Sequence, residues 1–443
     1  MHTSTNKPAA LDGALRLAMS DHQAGKLVDA ERRYRALLAR APRHPDAWHY
    51  LGVLLHQQGQ SDTALTLIAR ALVLSPGYVD ARNNLGNIQK ELGQMAAAEQ
   101  SYRAVIAARP EFASGWNNLG VVLKAQQRHA DAVVAYRQCL ILAPNLADCW
   151  LNLGNALKAL DDLQSAMTAY HQAILLAPQI TDAYRNLGQA LLTSGRHDEA
   201  LTVYRQWQIQ EPDNDAINHM IAAVAGGIAP QRANDGYVQT TFDRFASTFD
   251  EVLTRLDYRA PALCAALVDT LLGPAAANLA VLDAGCGTGL CAPSLLPYAS
   301  TLDGVDLSPK MLALAAQRSS YRHLHEAELT AWLATHPASY DLIVSADTLC
   351  YFGALEEVAI AAAAALRPGG HLVFTLELTV DATASPHFKL NPHGRYSHTI
   401  TYARQVLARA GLEVMAVRYE VLRTELQMPV QGLVIGARAH DHQ

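Results

Sequence analysis

Six prolines recur at one fixed interval in the first half of this chain, each 34 residues after the one before. They are Pro42, Pro76, Pro110, Pro144, Pro178 and Pro212. The same interval links a column of leucines from Leu17 to Leu187 and a column of alanines from Ala30 to Ala200. A period this strict indicates one supersecondary unit that is repeated and stacked. It also sets the rest of the chain, from about residue 237, apart as a different kind of domain.

Length and composition limit what the protein can be. A chain of 443 residues is too long for one core, so we expect two or more domains. A hydrophobic content of 50% and a net charge of -6 indicate a soluble globular protein and argue against a dedicated nucleic-acid binder, which usually has a basic face. No segment is apolar enough to span a bilayer, and residues 1–8 lack a signal-peptide core.

The six cysteines show no CxxC pair and no spacing typical of a metal site. We therefore expect no bound metal and a reducing, cytoplasmic setting.

Each 34-residue unit has the pattern of two amphipathic helices. In the unit that follows Pro110, helix A is predicted near residues 113–125 and helix B near residues 130–142, with small residues where the helices approach. The turn between the helices carries a glycine, for which positive φ is cheap, in four units; Gln127 and Asp161 replace it in the fourth and fifth. These units, over residues 11–212, resemble the tetratricopeptide repeat (TPR), which implies an all-α solenoid.

One polar column of the repeats is a candidate binding surface. Asparagine precedes the helix A leucine in four successive units, at Asn84, Asn118, Asn152 and Asn186. Helix A lines the inner groove of a stacked solenoid, and we expect these amides to face water there. Because an amide both donates and accepts, such a ladder can hydrogen-bond an extended peptide. The superhelical TPR domain of O-GlcNAc transferases uses a similar ladder, but asparagine is also common at this column of average TPR units.

The period stops after Pro212, and residues 225–231 form a turn-rich break. We therefore predict a TPR solenoid over residues 11–220, a linker over residues 221–236 and a second domain over residues 237–443.

The second domain contains a nucleotide-site pattern. A short apolar strand at residues 279–282 leads into Asp283-Ala-Gly285-Cys-Gly287-Thr-Gly289, followed by an apolar, helix-like segment. A second strand at residues 302–305 ends in Asp306. A strand, a glycine turn and a helix let a ligand approach the backbone, and an acid after the next strand can accept from both ribose hydroxyls.

These residues resemble class I S-adenosylmethionine-dependent methyltransferases, over about residues 237–443. The first motif is Val-Leu-Asp283 to Gly289, the second Gly304-Val-Asp306-Leu307, the third His325-Glu326-Ala327, and the fourth strand Tyr340 to Asp347. The resemblance implies a Rossmann-like, seven-stranded α/β fold that binds S-adenosylmethionine. It places at the cofactor Asp283, Gly285, Gly287, Gly289, Asp306, Leu307, Glu326, Ala327 and Ser345. Glu326 stands where Asp is commoner in the family.

Two flanking segments are expected to complete the site. Residues 237–250 carry a Phe-Asp…Phe-Asp pattern that resembles the lid helices of such enzymes, which implies that Phe249 or Tyr237 contacts the cofactor. The polar segment 385–398 is predicted to bind the methyl acceptor because it follows the fifth strand. Tyr351, Arg395 and His398 are the candidates that orient the acceptor or take its proton, together with His387, Lys389, His393 and Tyr396.

The combination resembles a bacterial group of TPR-linked predicted methyltransferases. It implies an enzyme whose repeats recognise a protein or peptide. Two alternatives stay open: a TPR scaffold whose second domain binds S-adenosylmethionine without turnover, and an enzyme acting on a small metabolite whose repeats serve only for docking.

Overall fold

The computed structural model describes residues 7–379, 387–425 and 428–440. Its contacts divide the chain into two compact units, between Ser194 and Gly195, and each unit is described by itself. In the described part of the chain, helices that combine enough length with enough apolar character to span a membrane are absent.

The first unit consists of helices that alternate between 13 and 14 residues after a longer first helix. They are α1 (Lys7–Gln23), α2 (Leu27–Arg40), α3 (Pro45–Gln57), α4 (Ser61–Leu74), α5 (Val79–Glu91), α6 (Met95–Ala108), α7 (Ala113–Ala125), α8 (His129–Leu142), α9 (Ala147–Ala159), α10 (Leu163–Leu176) and α11 (Thr181–Thr193). The turn within each helix pair contains one residue whose φ is positive, in the left-handed region. Gln127 and Asp161 adopt this turn at φ 62° without a glycine, close to the 81° of Gly59.

Within single repeats, a glycine on helix A contacts a large ring on helix B. Tyr136 and Tyr170 are fully buried. A Cβ atom added to Gly120 would lie 2.5 Å from the Tyr136 ring, and one added to Gly154 would lie 2.5 Å from the Tyr170 ring. The glycine and tyrosine columns of the sequence are therefore two halves of one packing contact, since the ring fills the space that a side chain on helix A would take.

The second unit combines ten helices with nine strands among the residues described. Its helices are α12 (His197–Gln210), α13 (Asp215–Ala225), α14 (Asp235–Phe245), α15 (Phe249–Arg255), α16 (Ala260–Leu272), α17 (Ala292–Leu295), α18 (Pro309–Gln317), α19 (Leu329–Ala334), α20 (Glu356–Ala365) and α21 (Ile400–Arg409). Its strands are β1 (Leu279–Ala284), β2 (Ala299–Asp306), β3 (His323–Glu326), β4 (Tyr340–Ser345), β5 (Leu366–Leu378), β6 (Phe388–Leu390), β7 (Tyr396–His398), β8 (Leu412–Glu425) and β9 (Met428–Ala439). Short 3₁₀ turns lie at Ala246–Thr248 and Leu349–Tyr351.

The sheet is parallel through β3-β2-β1-β4-β5, and β9 pairs antiparallel with β5 and β8. Apolar residues cover both of its faces. Leu263 and Leu267 of α16 pack with Val281, whereas Val358 of α20 and Tyr402 of α21 belong to the core that contains Ile343. Because β1, β2 and β4 run the same way, the residues that follow them meet at one edge.

The structure differs from the sequence analysis in three elements. Residues 388–398 of the segment predicted to bind the acceptor form the hairpin β6–β7, which adds two strands to the expected seven through the pairing of β7 with β5. The helix-like segment after Gly289 is a single turn, α17. Finally, α12 and α13 belong to the second compact unit although the repeat period runs on to Pro212. The functional boundaries at residues 220 and 237 stay predictions.

The glycine contact predicts opposite effects for two glycine-to-alanine changes. Gly120→Ala should destabilise the repeats by about 1–3 kcal/mol, because its methyl group overlaps the buried Tyr136 ring. Gly13→Ala, on α1 with no atom within 4 Å of the new Cβ, should stabilise them by about 0.5–1 kcal/mol. Urea unfolding followed by circular dichroism measures both, and equal effects of the two variants would contradict the packing described.

Candidate functional site

One cavity of the second unit opens at the edge where β1, β2 and β4 end. It encloses about 920 Å³ including its open mouth. Seven of the residues singled out from the sequence line it: Phe249, Gly285, Gly287, Asp306, Leu307, Ala327 and Tyr351. They come from segments as far apart as α15, the β1–α17 turn and the turn after β4, which the fold brings together.

The glycine turn forms one wall of the cavity. Gly285 and Gly287 have φ of 77° and 52°, which side chains rarely adopt. A Cβ atom on Gly285 would collide with Thr348, whose hydroxyl donates to the Ala284 carbonyl at 3.2 Å. A Cβ atom on Gly287 would have only the Phe249 ring nearby, at 4.0 Å. The first glycine therefore permits close packing beneath the turn, and the second keeps the space above it open.

Asp306 presents its carboxylate to the cavity from the end of β2. One oxygen accepts from the Gly287 N–H at 2.9 Å and the other from the Ser308 N–H at 2.8 Å. Desolvation raises the pKa of this carboxyl, and the backbone N–H donors partly oppose the rise. Each carboxylate oxygen can accept more than one hydrogen bond, so Asp306 can still take donors from a ligand.

Asp283, Ser345 and Gly289 lie behind the cavity and do not line it. Asp283 is buried and accepts from Tyr321 Oη at 2.6 Å, while Ser345 Oγ donates to the Ala284 carbonyl at 2.9 Å. A Cβ atom on Gly289 would meet Arg318 and Tyr321 at 3.1 Å. In this structure, these three residues shape the strand ends from which the cavity is built.

The third motif contributes a different acid from the one predicted. Glu326 is exposed at the end of β3 and does not line the cavity, whereas Glu328 does. Glu328 accepts from the Ala331 N–H at 2.8 Å, as the cap of α19, and from Arg232 at 3.1 Å. Strand β3 ends at Glu326. The sequence motif alone does not show whether Glu326 or Glu328 lines the cavity.

In the Phe-Asp…Phe-Asp segment, the phenylalanine rings and the aspartate carboxylates have different roles. Phe242 and Phe249 line the cavity, with ring centroids 5.9 Å apart. Asp243 accepts from Ser308 Oγ at 2.6 Å, and Asp250 accepts from Thr288 Oγ1 at 2.6 Å and from Arg318 at 2.5 Å. The two aspartates, which the sequence analysis did not select, thus fasten α14 and α15 over the glycine turn.

Tyr237, the alternative to Phe249 for cofactor contact, lies elsewhere. Its ring stacks on His219 of α13 with centroids 4.1 Å apart, and it does not line the cavity. His219 in turn bonds the Gly394 carbonyl at 2.8 Å. Burial raises the pKa of Tyr237 to about 12, so its phenol stays protonated within this packing contact.

The far wall of the cavity carries Tyr258, Asp347 and Tyr351. Asp347 has a φ of 55°, which is uncommon for a residue with a side chain. Its carboxylate accepts from Thr375 Oγ1 at 3.0 Å and from Arg423 at 2.5 Å. Desolvation raises the pKa of Asp347 and Arg423 opposes the rise; desolvation also raises the pKa of both tyrosines. The two tyrosines are therefore neutral and can donate hydrogen bonds. Asp347 places a carboxyl group in the same wall of the cavity.

Arg395 and His398, two of the predicted acceptor-site residues, do not line the cavity. Arg395 pairs with Glu377 at 2.6 Å and with Glu425 at 2.7 Å, in the same network as Arg423. His398 is fully buried; its Nε2 lies 3.0 Å from the Gly353 carbonyl, and burial lowers its pKa to about 4. In this structure, ion pairs hold Arg395 and the pairing of β7 with β5 holds His398 away from the cavity lining.

Ser385 and Pro386 lie outside the described residues. His387, Lys389, His393 and Tyr396 are described, but none of them lines the cavity. Within the ranges that the structure covers, no three His, Cys, Asp or Glu side chains are grouped as metal ligands would be.

The asparagine column of the first unit is bonded within the repeats. Each side-chain amide donates to, or pairs with, a residue of the preceding unit: Asn84 with His49 at 2.8 Å, Asn118 with Asn83 at 3.1 Å, Asn152 with Asn117 at 3.4 Å and Asn186 with Asn155 at 2.9 Å. All four side chains are half-buried. The expectation that these amides simply face water was wrong, because their N–H groups already connect neighbouring repeats.

Two families match this chain. A tetratricopeptide repeat family matches residues 15–79, 83–147 and 151–216, and a methyltransferase domain family matches residues 282–372. The repeat match begins within α1 and ends at the start of α13, and the methyltransferase match begins within β1, includes the glycine turn and ends within β5.

Individual relatives match one half or the other. The ubiquinone biosynthesis O-methyltransferase of Azoarcus sp. (strain BH72) is 29% identical over 156 residues, which cover 31% of this chain and 65% of that protein. Methyltransferase-like protein 27 of Homo sapiens is 42% identical over 85 residues, 19% of this chain and 34% of that protein. The chain thus spans less than two thirds of these curated relatives. The solved structure of Pseudomonas aeruginosa pilF is 20% identical with a TM-score of 0.43, covering 47% of this chain and 95% of that one.

Asp283 predicts a measurable pH effect on stability. Burial, with a smaller contribution from Asp306, raises its pKa to about 7. The folded state therefore holds this proton more tightly than the unfolded state, and stability should fall as pH rises from the ordinary carboxyl pKa of about 4 towards 7. Asp283→Asn stays uncharged and can still accept from Tyr321, so it should avoid ~1–3 kcal/mol of this loss between pH 5 and 8.

Hydrogen exchange of the amides of residues 279–284 reports on the stability of this sheet alone. Identical pH dependence in the original protein and in Asp283→Asn would contradict the raised pKa.

Proposed function

We propose that this chain, which joins tetratricopeptide repeats to a methyltransferase domain, transfers a methyl group from S-adenosylmethionine to an acceptor that the repeats help to recruit. The observation that carries this proposal is Asp306, which faces a cavity beside a glycine turn whose Gly287 leaves the space in front of it open. A carboxylate and an uncrowded backbone turn are what a nucleoside with two ribose hydroxyls requires.

The residues present fit this cofactor. Asp306 would accept the ribose hydroxyls, Leu307 and Ala327 would pack against the adenine, and Phe249 would cover the ligand from the lid. When bound, S-adenosylmethionine supplies an electrophilic methyl group on a sulfonium. The protein's part is to align the acceptor and to exclude water, and the aromatic side chains of Phe242, Phe249, Tyr258 and Tyr351 line the cavity in a way that suits this.

The far wall supports an acceptor that loses a proton, with a hydroxyl as the first choice. Asp347 would take that proton, since it lines the cavity and desolvation raises the pKa of its carboxyl above the ordinary value. Tyr258 and Tyr351 would orient the acceptor by donating hydrogen bonds. That the matched relatives include O-methyltransferases also favours a hydroxyl acceptor.

The cofactor assignment is tested by replacing one carboxylate. Asp306→Asn should weaken S-adenosylmethionine binding about 10- to 100-fold, because charge-assisted hydrogen bonds are worth ~1.5–3 kcal/mol. Asp303→Asn is the matched control: Asp303 lies on the same strand, pairs with Arg322 and does not line the cavity. Calorimetry with the full chain measures both affinities, and unchanged binding by Asp306→Asn would rule out this cofactor site.

Turnover is tested at Asp347. Asp347→Asn should lower methyl transfer about 10²- to 10⁴-fold while S-adenosylmethionine still binds, because an amide cannot take the proton. The original protein should lose activity as pH falls through a pKa above that of an ordinary carboxyl, since the deprotonated form is the base. Glu425→Gln, which changes a carboxylate in the same ion-pair network but not on the cavity wall, should have a much smaller effect.

The acceptor is found by incubating cell extract with isotopically labelled S-adenosylmethionine and analysing it by mass spectrometry. Binding of the cofactor without labelling of any molecule would favour the alternative, a repeat scaffold that binds S-adenosylmethionine without turnover. Labelling of a small molecule alone would favour a metabolite enzyme that uses its repeats for docking.

A further inference from the structure

A column of basic side chains lies near the end of helix A in five successive repeats. It holds His22, His56, Lys90, Lys124 and Lys158, each 34 residues after the one before. All five residues belong to the first compact unit. The column changes from histidine to lysine at the third repeat, and the partners of these side chains change at the same place.

The two histidines are bonded to the residue 35 positions further along the chain. His22 Nε2 lies 2.8 Å from Gln57 Oε1, and His56 Nε2 lies 2.8 Å from Glu91 Oε2. The positions that would serve the three lysines in the same way hold Ala125, Ala159 and Thr193. Two of these replacements have no polar side-chain atom, and the third has no charge.

The three lysines, which we name the lysine row, therefore have no acidic partner. Among the residues that the structure describes, Lys90, Lys124 and Lys158 form neither a side-chain hydrogen bond nor an ion pair, although each is half-buried. Desolvation lowers the pKa of Lys124 and Lys158, and the nearby Arg185 adds to the effect at Lys158. Half-buried ammonium groups without a counter-charge make this surface favourable for an anion.

Of the acidic residues on these three helices, Glu91 adjoins Lys90 but lies 2.8 Å from His56 Nε2, and the other two lie far from the lysines. Asp80 and Asp148 are exposed in the first turns of α5 and α9, ten residues before Lys90 and Lys158. Ten residues of helix correspond to about 15 Å. That exceeds the Debye length of about 8 Å at physiological salt, so these exposed charges are largely screened from the lysines.

We propose that the lysine row binds an extended, acidic segment of a partner protein. Neighbouring packed helices lie roughly 10 Å apart, and an extended chain rises about 3.3 Å per residue, so carboxylates three residues apart would match successive lysines. This proposal rests on the recognition role given to the repeats under the proposed function, and it adds the charge and spacing of the segment recognised.

The test uses the full chain and a fluorescein-labelled nine-residue peptide with Glu at positions 2, 5 and 8. Fluorescence anisotropy should show binding that weakens as salt is raised, and a peptide with Gln at those positions should bind at least tenfold more weakly. Absence of binding by the acidic peptide, or equal binding of the two peptides, would overturn the proposal.

Two matched triple variants distinguish an effect of the lysine row itself from an effect of the net charge of the chain. Lys90→Gln, Lys124→Gln and Lys158→Gln together should reduce peptide affinity at least tenfold. The control changes Arg35, Arg103 and Arg137 to Gln, three exposed cations that share one column of helix B. It removes the same charge, and affinity should stay within about threefold since exposed charges off the binding surface contribute little. Equal losses in both triple variants would overturn the proposal.

Two further measurements complete the design. A single-stranded oligonucleotide that binds more tightly than the acidic peptide and loses affinity in the lysine variant would overturn the choice of a protein partner. S-adenosylmethionine affinity, measured on the same variants, should be unchanged. Because peptide binding is measured without cofactor, failure of the cofactor assignment would appear only in calorimetry and failure of the lysine row only in anisotropy.

Discussion

Three aspartates lie at or just beyond the carboxyl ends of neighbouring parallel strands in the second unit. Each carboxyl group is largely desolvated and therefore needs hydrogen-bond donors. Asp283 and Asp306 lie at the ends of β1 and β2, and Asp347 follows β4 by two residues. Burial raises the pKa of all three, and Asp306 adds to the rise at Asp283. Their donors differ in kind: a phenol for Asp283, backbone N–H groups for Asp306 and a guanidinium for Asp347. The hydrogen bonds from these donors connect the three aspartates to the rest of the cavity region.

Much of the fold is predictable because its information is local. The structure gives helix A of the fourth repeat as Ala113–Ala125, the range that the apolar spacing predicts. The glycine turn and Asp306 are also local, since a strand, a turn and the next parallel strand are close in sequence. Arg395 and His398 could not be placed in this way, because their surroundings depend on the pairing of β7 with β5 and on Arg423 and Glu425 of β8.

The asparagines and lysines of the repeats show a second limit of sequence reasoning. Both recur every 34 residues, and the period alone does not separate a side chain that joins repeats from one that is free for a partner. The difference lies in the residue that faces it. Asn118 donates to Asn83 in the preceding unit, whereas the residues 35 positions after Lys90 and Lys124 are alanines, where the histidines of this column have Gln57 and Glu91. Only the structure shows which side chains of a column are bonded to a neighbouring repeat.

The contact between His219 and the Gly394 carbonyl has a practical consequence for dissecting the protein. Helix α13 carries His219, and its imidazole covers the Tyr237 ring at the start of the lid segment. A fragment cut after residue 220, where the repeat pattern fades, would lose this ring and leave an aromatic side chain uncovered. Cutting between Ser194 and Gly195 keeps α12 and α13 with the sheet. A fragment that keeps the whole second unit therefore begins inside the last repeat.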